Sequence, residues 1–140
     1  MNLSPHFTLA ELTFTEHRQF DNTPNQIEIA NLQRLAVLLE QARTLLGAPI
    51  MINSAYRSKA VNDAVGSKDS SQHRLGCAAD FRVPGMTPDQ IVKALINLPY
   101  DQIIREFDRW VHISVPNVAG ATPRRNKLII DKTGVRLLMS

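Results

Sequence analysis

His73, Asp80 and His112 are the residues of this sequence whose types and spacing offer chemistry. Imidazole nitrogen and carboxylate oxygen both bind zinc at about 2.0–2.2 Å. Two histidines and one carboxylate leave a fourth position open to water, which is the ligand set of a hydrolytic zinc site. His73 precedes Asp80 by seven residues. On one continuous helix that separation is two turns, about 10 Å, too far to share an ion. A loop that turns at Gly76 into a strand closes the gap, and the small residues Gly76, Ala78 and Ala79 leave room for the approach. There is no HExxH motif, so the site is not of the common helix-borne kind. Taken singly, His73 and His112 also fit ordinary surface or core positions, the reading given to His6 and His17. Asp80 is harder to place that way, because a carboxylate inside Ala78-Ala79-Asp80-Phe81 is rarely buried without a partner.

Strand parity is what allows these residues to meet. Trp110–Val115 reads as a strand with Val111, Ile113 and Val115 on a core face and Trp110, His112 and Ser114 on the other. Cys77–Val83 reads as a strand with Ala79 and Phe81 toward the core and Ala78, Asp80 and Arg82 opposite. Asp80 and His112 therefore share a face. The polar segment Gly66–Gly76, which carries Ser71, Gln72 and His73, is a loop.

The remaining elements frame that sheet. Thr8 with Glu11 forms a capping box for a short helical turn. Thr23, Pro24 and Gln26 predict the start of a long amphipathic helix. Its apolar positions are Leu32, Leu35, Leu38, Leu39, Ala42, Leu45 and Leu46, and Gly47 and Pro49 stop it. Pro49–Ser54 is a strand, Ser58 opens a short helix through Val65, and Thr87, Pro88 and Gln90 open another. That helix buries Ile91, Ala94, Leu95 and Leu98, and Pro99 ends it. Gln102–Phe107 pairs with Trp110–Val115 around Asp108–Arg109. Leu128–Asp131 and Val135–Leu138 form a closing hairpin. The expected class is α+β, an antiparallel sheet with helices packed on one face.

The chain has 140 residues, 44% hydrophobic and 21% charged, which suits one globular domain over residues 1–140 and argues against disorder. No apolar run reaches the roughly 18–20 residues of a membrane span, and the N-terminus lacks a secretory pattern. One cysteine, Cys77, excludes an intrachain disulfide framework and a multi-thiolate zinc knuckle. The net charge of +3 fits an anionic polymer as partner. Only Arg124, Arg125 and Lys127 cluster, which suits a solvated loop better than a nucleic-acid interface.

Several phrases resemble the zinc D-Ala-D-Ala carboxypeptidase family, most closely its compact phage and prophage branch. They are Ser54-Ala55-Tyr56-Arg57-Ser58, then Ser71-Gln72-His73, Gly76, Ala78 and Asp80-Phe81, then Glu106-Phe107 and Trp110-Val111-His112-Ile113-Ser114. Phe7-Thr8-Leu9-Ala10-Glu11 and Asp21-Asn22-Thr23-Pro24 add to the likeness, which runs from about residue 5 to 115. The SxHxxGxAxD pattern with a downstream WVH is its specific part.

The resemblance implies a hedgehog/DD-peptidase-like fold and a zinc metallopeptidase that hydrolyses peptidoglycan stem peptides, as a D-Ala-D-Ala carboxypeptidase or an endopeptidase. His73, Asp80 and His112 match the zinc ligands, and Arg57 matches the arginine that grips a substrate carboxylate, a task suited to a bidentate guanidinium. Ser71 and Gln72 border the groove or are plain loop residues. Several relatives carry a glutamate three residues before the last histidine; here that position is Arg109. Glu106, matching the EFxxWVH form, is then the expected general base and Asp108 the alternative, both sharing parity with His112 if no bulge intervenes. The rival within the same fold is a zinc-binding module without a working base. No nucleic-acid or membrane partner is expected, and a monomer is the default. The phage likeness implies action on the cell wall after release or from a virion, the route remaining open.

Overall fold

The computed structural model describes residues 1–138. The chain opens with a small ribbon of β1 (Asn2–Ser4) and β2 (Phe7–Thr8), followed by α1 (Leu9–Leu12) and the long α2 (Gln26–Leu46). Thr8 and Glu11 close the expected capping box. The cap of α2 lies two residues beyond the expected one. Asn25 and Glu28 form its capping box, because Thr23 is already bound through its N–H and hydroxyl to Asp21 (3.0 and 2.6 Å) in a turn of its own. Gly47 ends α2 in the left-handed conformation (φ 64°), donating its N–H to the Arg43 carbonyl. Leu45, expected on the buried face, is exposed.

Six strands form the main sheet: β3 (Met51–Ser54), β4 (Ala78–Arg82), β5 (Gln102–Glu106), β6 (Trp110–Ser114), β7 (Asn126–Asp131) and β8 (Gly134–Leu137), in the spatial order β3-β4-β6-β5-β7-β8. The sheet is mixed rather than purely antiparallel, since β7 runs parallel to β5. The segment after β6 carries the chain back to the start of β5, where Asn126 N–H donates to the Asp101 carbonyl (3.0 Å). A hairpin connection would have reversed β7; this return does not.

One face of the sheet is the core. Ala79, Phe81, Ile103, Val111 and Ile113 pack with Leu32, Leu35, Leu39 and Ala42 of α2 and with Ile91, Val92 and Leu95 of α4 (Pro88–Leu95). Thr87, Pro88 and Gln90 open α4 as expected, but Val92 is buried where Ala94 was expected, and the helix stops at Leu95, before Pro99. The short α3 (Lys59–Ala64) and a 3₁₀ turn (Gln72–Leu75) complete the set. Among the described residues no helix is long and apolar enough to cross a membrane.

Candidate metal centre

The other sheet face carries the polar chemistry. Register aligns Ser54, Asp80, His112, Ile104 and Leu128 in one row across β3, β4, β6, β5 and β7. Asp80 and His112 are direct cross-strand partners, so strand parity alone brings their side chains together. His73 arrives from the 3₁₀ turn. Ser71 caps that turn by accepting the His73 N–H (3.2 Å), and Gly76 closes it in the left-handed conformation, handing the chain to β4.

The three side chains converge. His73 Nε2 lies 3.3 Å from Asp80 Oδ2, and His112 Nδ1 lies 2.9 Å from Asp80 Oδ1. One nitrogen or oxygen from each of the three falls within 4.8 Å of the others, a group that can hold a metal ion. Ligands about 2.0–2.2 Å from a tetrahedral zinc sit roughly 3.3–3.6 Å apart, so the cluster needs little movement to close on the ion. The imidazole planes meet edge to face at 71°.

Protonation supports the same reading. His73 Nδ1 is 2.6 Å from the Ala55 carbonyl. A carbonyl only accepts, so Nδ1 carries the proton and the Nε2 lone pair is free for a metal. Burial pushes the His73 pKa down, more than the neighbouring Asp80 charge raises it. Burial alone would raise the Asp80 carboxyl; the charges and hydrogen bonds of His73 and His112 outweigh it and hold Asp80 far below the ordinary carboxylate range. An imidazole nitrogen and a carboxylate oxygen 3.3 Å apart in a buried site are held together by a proton or a metal cation between them. His73, Asp80 and His112 are 3, 8 and 8% exposed. That burial is deep enough to strengthen electrostatics inside the site.

Arg57 follows β3 and stands beside the cluster. Its Nη2 is 3.3 Å from Asp80 Oδ2, its Nε–H donates to Ser54 Oγ (3.2 Å), and its Nη1 reaches Asn62 Oδ1 (3.5 Å). Backbone tethers fix the segment, with Arg57 N–H donating to the His73 carbonyl (3.0 Å). Asn22 bolts it to the N-terminal part of the chain. Its Nδ2 donates to the Thr13 and Tyr56 carbonyls (2.8 and 3.1 Å), and its Oδ1 accepts Ser58 N–H (2.7 Å).

Glu106 lies across the cluster from Arg57. It pairs with Trp110 one row along the sheet, on the face of His112. Burial pushes its carboxyl up, the Asp80 charge adds to this, and His112, the Trp110 indole and Arg57 oppose it. Asp108 is elsewhere. β5 ends at Glu106, and Phe107 and Asp108 (φ 55° and 51°) form a left-handed turn, so strand parity does not extend to residue 108. Its carboxylate meets Arg105 Nε (3.2 Å), which also reaches Asp89 of α4 through Nη1 (3.1 Å).

Gln72 turns away from the cluster. Its Nε2 lies within hydrogen-bond distance of Asp101 Oδ2 (3.1 Å), the Val115 carbonyl (3.1 Å) and Asn117 Oδ1 (2.8 Å), anchoring the turn that presents His73. Arg124 grips the same Asp101 through its backbone N–H, Nε and Nη2 (3.0, 3.0 and 2.7 Å), and Arg125 donates to the Ile96 carbonyl. Two members of the basic cluster, Arg124 and Arg125, are thus spent on internal bonds. Cys77 is buried beside Arg34 and the Pro116 carbonyl, outside the metal cluster.

Sequence reasoning missed Ser54, Asn62, Asn22 and the Ala55 carbonyl. A backbone oxygen leaves no trace in residue type, and the others are ordinary polar residues until the fold closes around Arg57.

No curated protein matches the chain. A family model, Peptidase M15, matches residues 5–114, a stretch that takes in Arg57, all three cluster residues and Glu106. M15 peptidases depend on zinc, and the donor set here suits that ion. The chain therefore belongs to the Peptidase M15 family, the zinc D-Ala-D-Ala carboxypeptidase-like metallopeptidases.

Proposed function

We propose that this protein hydrolyses peptide bonds in the stem peptides of peptidoglycan, as a carboxypeptidase or endopeptidase, with Glu106 as general base. The observation that carries the reading is the pairing of Arg57 and Glu106 on opposite sides of the His73–Asp80–His112 cluster. His73, Asp80 and His112 would hold a zinc ion, which would supply the Lewis acidity that polarises a carbonyl and makes water nucleophilic near neutral pH. Arg57 pairs with a carboxylate of the peptide through the guanidinium donors left free by Ser54, Asn62 and Asp80. That contact fixes which bond lies over the cluster. Glu106 accepts the proton of the attacking water and delivers it to the leaving amine. Its raised pKa suits a group that both takes and returns a proton. The arginine contact of Asp108 leaves Glu106 the better base. The likeness to the phage branch supports a monomer acting on the cell wall after release or from a virion.

The test is incubation of the protein with purified peptidoglycan, with and without a chelator, followed by mass spectrometry of the products and zinc quantitation. Chelator-sensitive release of defined stem-peptide fragments is expected, and the fragments name the bond. Glu106→Gln retains zinc and loses about 10²–10⁴-fold in rate. One bound zinc with no product from several wall types overturns the reading in favour of an inactive zinc module.

A further inference from the structure

Beside the metal cluster, where the β5–β6 and β7–β8 turns come together, lies a cavity of about 580 Å³. Its walls include Phe107, Trp110, Arg109, Lys132, Asp108 and Asp131. Phe107 is 46% exposed, and its ring meets the Trp110 indole at 5.9 Å and 45°. Phe107 sits at φ 55° and Asp108 at 51°, left-handed values that are costly for a bulky residue. Backbone held in such a conformation clusters at active sites and ligand clamps.

The charges are asymmetric. Asp108 lies 3.2 Å from Arg105, and Asp131 pairs with Arg136 (2.8 Å) and accepts two hydrogen bonds from Thr133. Neither arginine lines the cavity. Arg109 and Lys132 have no ionic partner among the described residues. The cavity therefore presents an aromatic wall and two cations without an ionic partner, beside two carboxylates that each have an arginine of their own.

Its position ties it to the substrate. Trp110 is two residues before His112 on β6, roughly 7 Å along the strand. An extended peptide advances about 3.3–3.6 Å per residue, so a chain with its scissile bond over the cluster reaches this cavity about two residues away. We propose that the cavity is a second carboxylate subsite, in which Arg109 and Lys132 bind a free carboxylate of the peptide and Phe107 and Trp110 pack on its backbone. This rests on the peptidase reading above. The carboxylate chemistry matches γ-linked D-glutamate, whose α-carboxylate stays free within a stem peptide.

Trp110 is the only tryptophan, so its fluorescence reports on the cavity directly. The probes are N-acetyl-L-alanyl-γ-D-glutamyl-L-lysine amide and its counterpart with the D-glutamyl α-carboxylate amidated, titrated against the zinc-loaded protein. The acid form binds about tenfold more tightly, since two partly exposed ion pairs contribute about two- to fivefold each. In Arg109→Gln/Lys132→Gln the preference falls to near one. Phe107→Ala weakens both probes equally. A wild-type preference near one overturns the subsite. So does a preference that survives the double substitution, because Arg57 or another cation would then bind that carboxylate. Wall hydrolysis is assayed on the same preparations. Hydrolysis with an unchanged preference in the double variant refutes the subsite alone, whereas no hydrolysis refutes the peptidase reading while the binding ratio still reports on the cavity.

Discussion

Gly76→Ala tests how the fold delivers His73. Gly76 has φ 78°, and a Cβ there would stand 2.8 Å from the Glu28 carbonyl oxygen and 3.1 Å from Leu32 Cγ, both on α2. The left-handed backbone costs alanine about 1–2 kcal/mol. The clash falls on helix backbone, which cannot rotate away, and overpacking of that kind adds about 1–3 kcal/mol. The expected loss is about 2–5 kcal/mol, or a fall in Tm of roughly 6–15 °C at this chain length. Gly47→Ala is the control. Its φ is 64°, but nothing lies within 4 Å of the added methyl, so only the backbone cost of about 1–2 kcal/mol remains. The difference between the two, read by urea denaturation with matched slopes, isolates the close approach. The 3₁₀ turn must lift off α2 to admit the methyl, so Gly76→Ala also weakens zinc binding while Gly47→Ala does not. Equal destabilisation by the two substitutions would refute the packing argument, and unaltered zinc affinity in Gly76→Ala would refute the claim that this contact positions His73.

Further outcomes follow from the same geometry. Asp80→Asn lowers zinc affinity by more than the roughly 10–100-fold typical of losing a supporting contact, as measured by competition with a chromogenic chelator. Asn22→Ala leaves the Thr13 and Tyr56 carbonyls and the Ser58 N–H without their partner. It destabilises the chain by about 1–3 kcal/mol, and it raises KM more than it lowers kcat, because Arg57 loses its bracing. For Asp101, burial raises the carboxyl, but bonds from Arg124 and Gln72 outweigh it and hold the pKa below its ordinary value. Such a group contributes stability above its unfolded pKa of about 3.9 and loses it as pH falls through the folded value. Arg124→Gln therefore lowers stability at neutral pH, and its deficit against the parent protein shrinks as pH falls below about 3.9; a deficit of equal size at neutral and acid pH would count against the pair.

Much of this was legible in the chain itself. Alternation in Cys77–Val83 and Trp110–Val115 set Asp80 and His112 on one sheet face, since side-chain direction in a strand has a period of two. The caps Thr8 and Thr87 were readable because a capping box is a contact between residues three apart. The parity of Asp108 was not, because a left-handed turn at Phe107–Asp108 breaks the alternation without a glycine to announce it. Nor was the cap of α2, where Asp21 competes for Thr23. The parallel course of β7 depends on where the segment after β6 docks on Asp101, a contact across 23 residues from Arg124 that no local pattern encodes. Residue type and spacing thus picked out the candidate metal-binding set, which the family resemblance then singled out, and strand parity set the face Asp80 and His112 share. Tertiary structure alone decided the tautomer of His73 through the Ala55 carbonyl, the bracing of Arg57, and the meeting of two turns that creates the cavity beside Trp110. Those features arise from contacts between segments distant in sequence, whose geometry exists only once the sheet has closed.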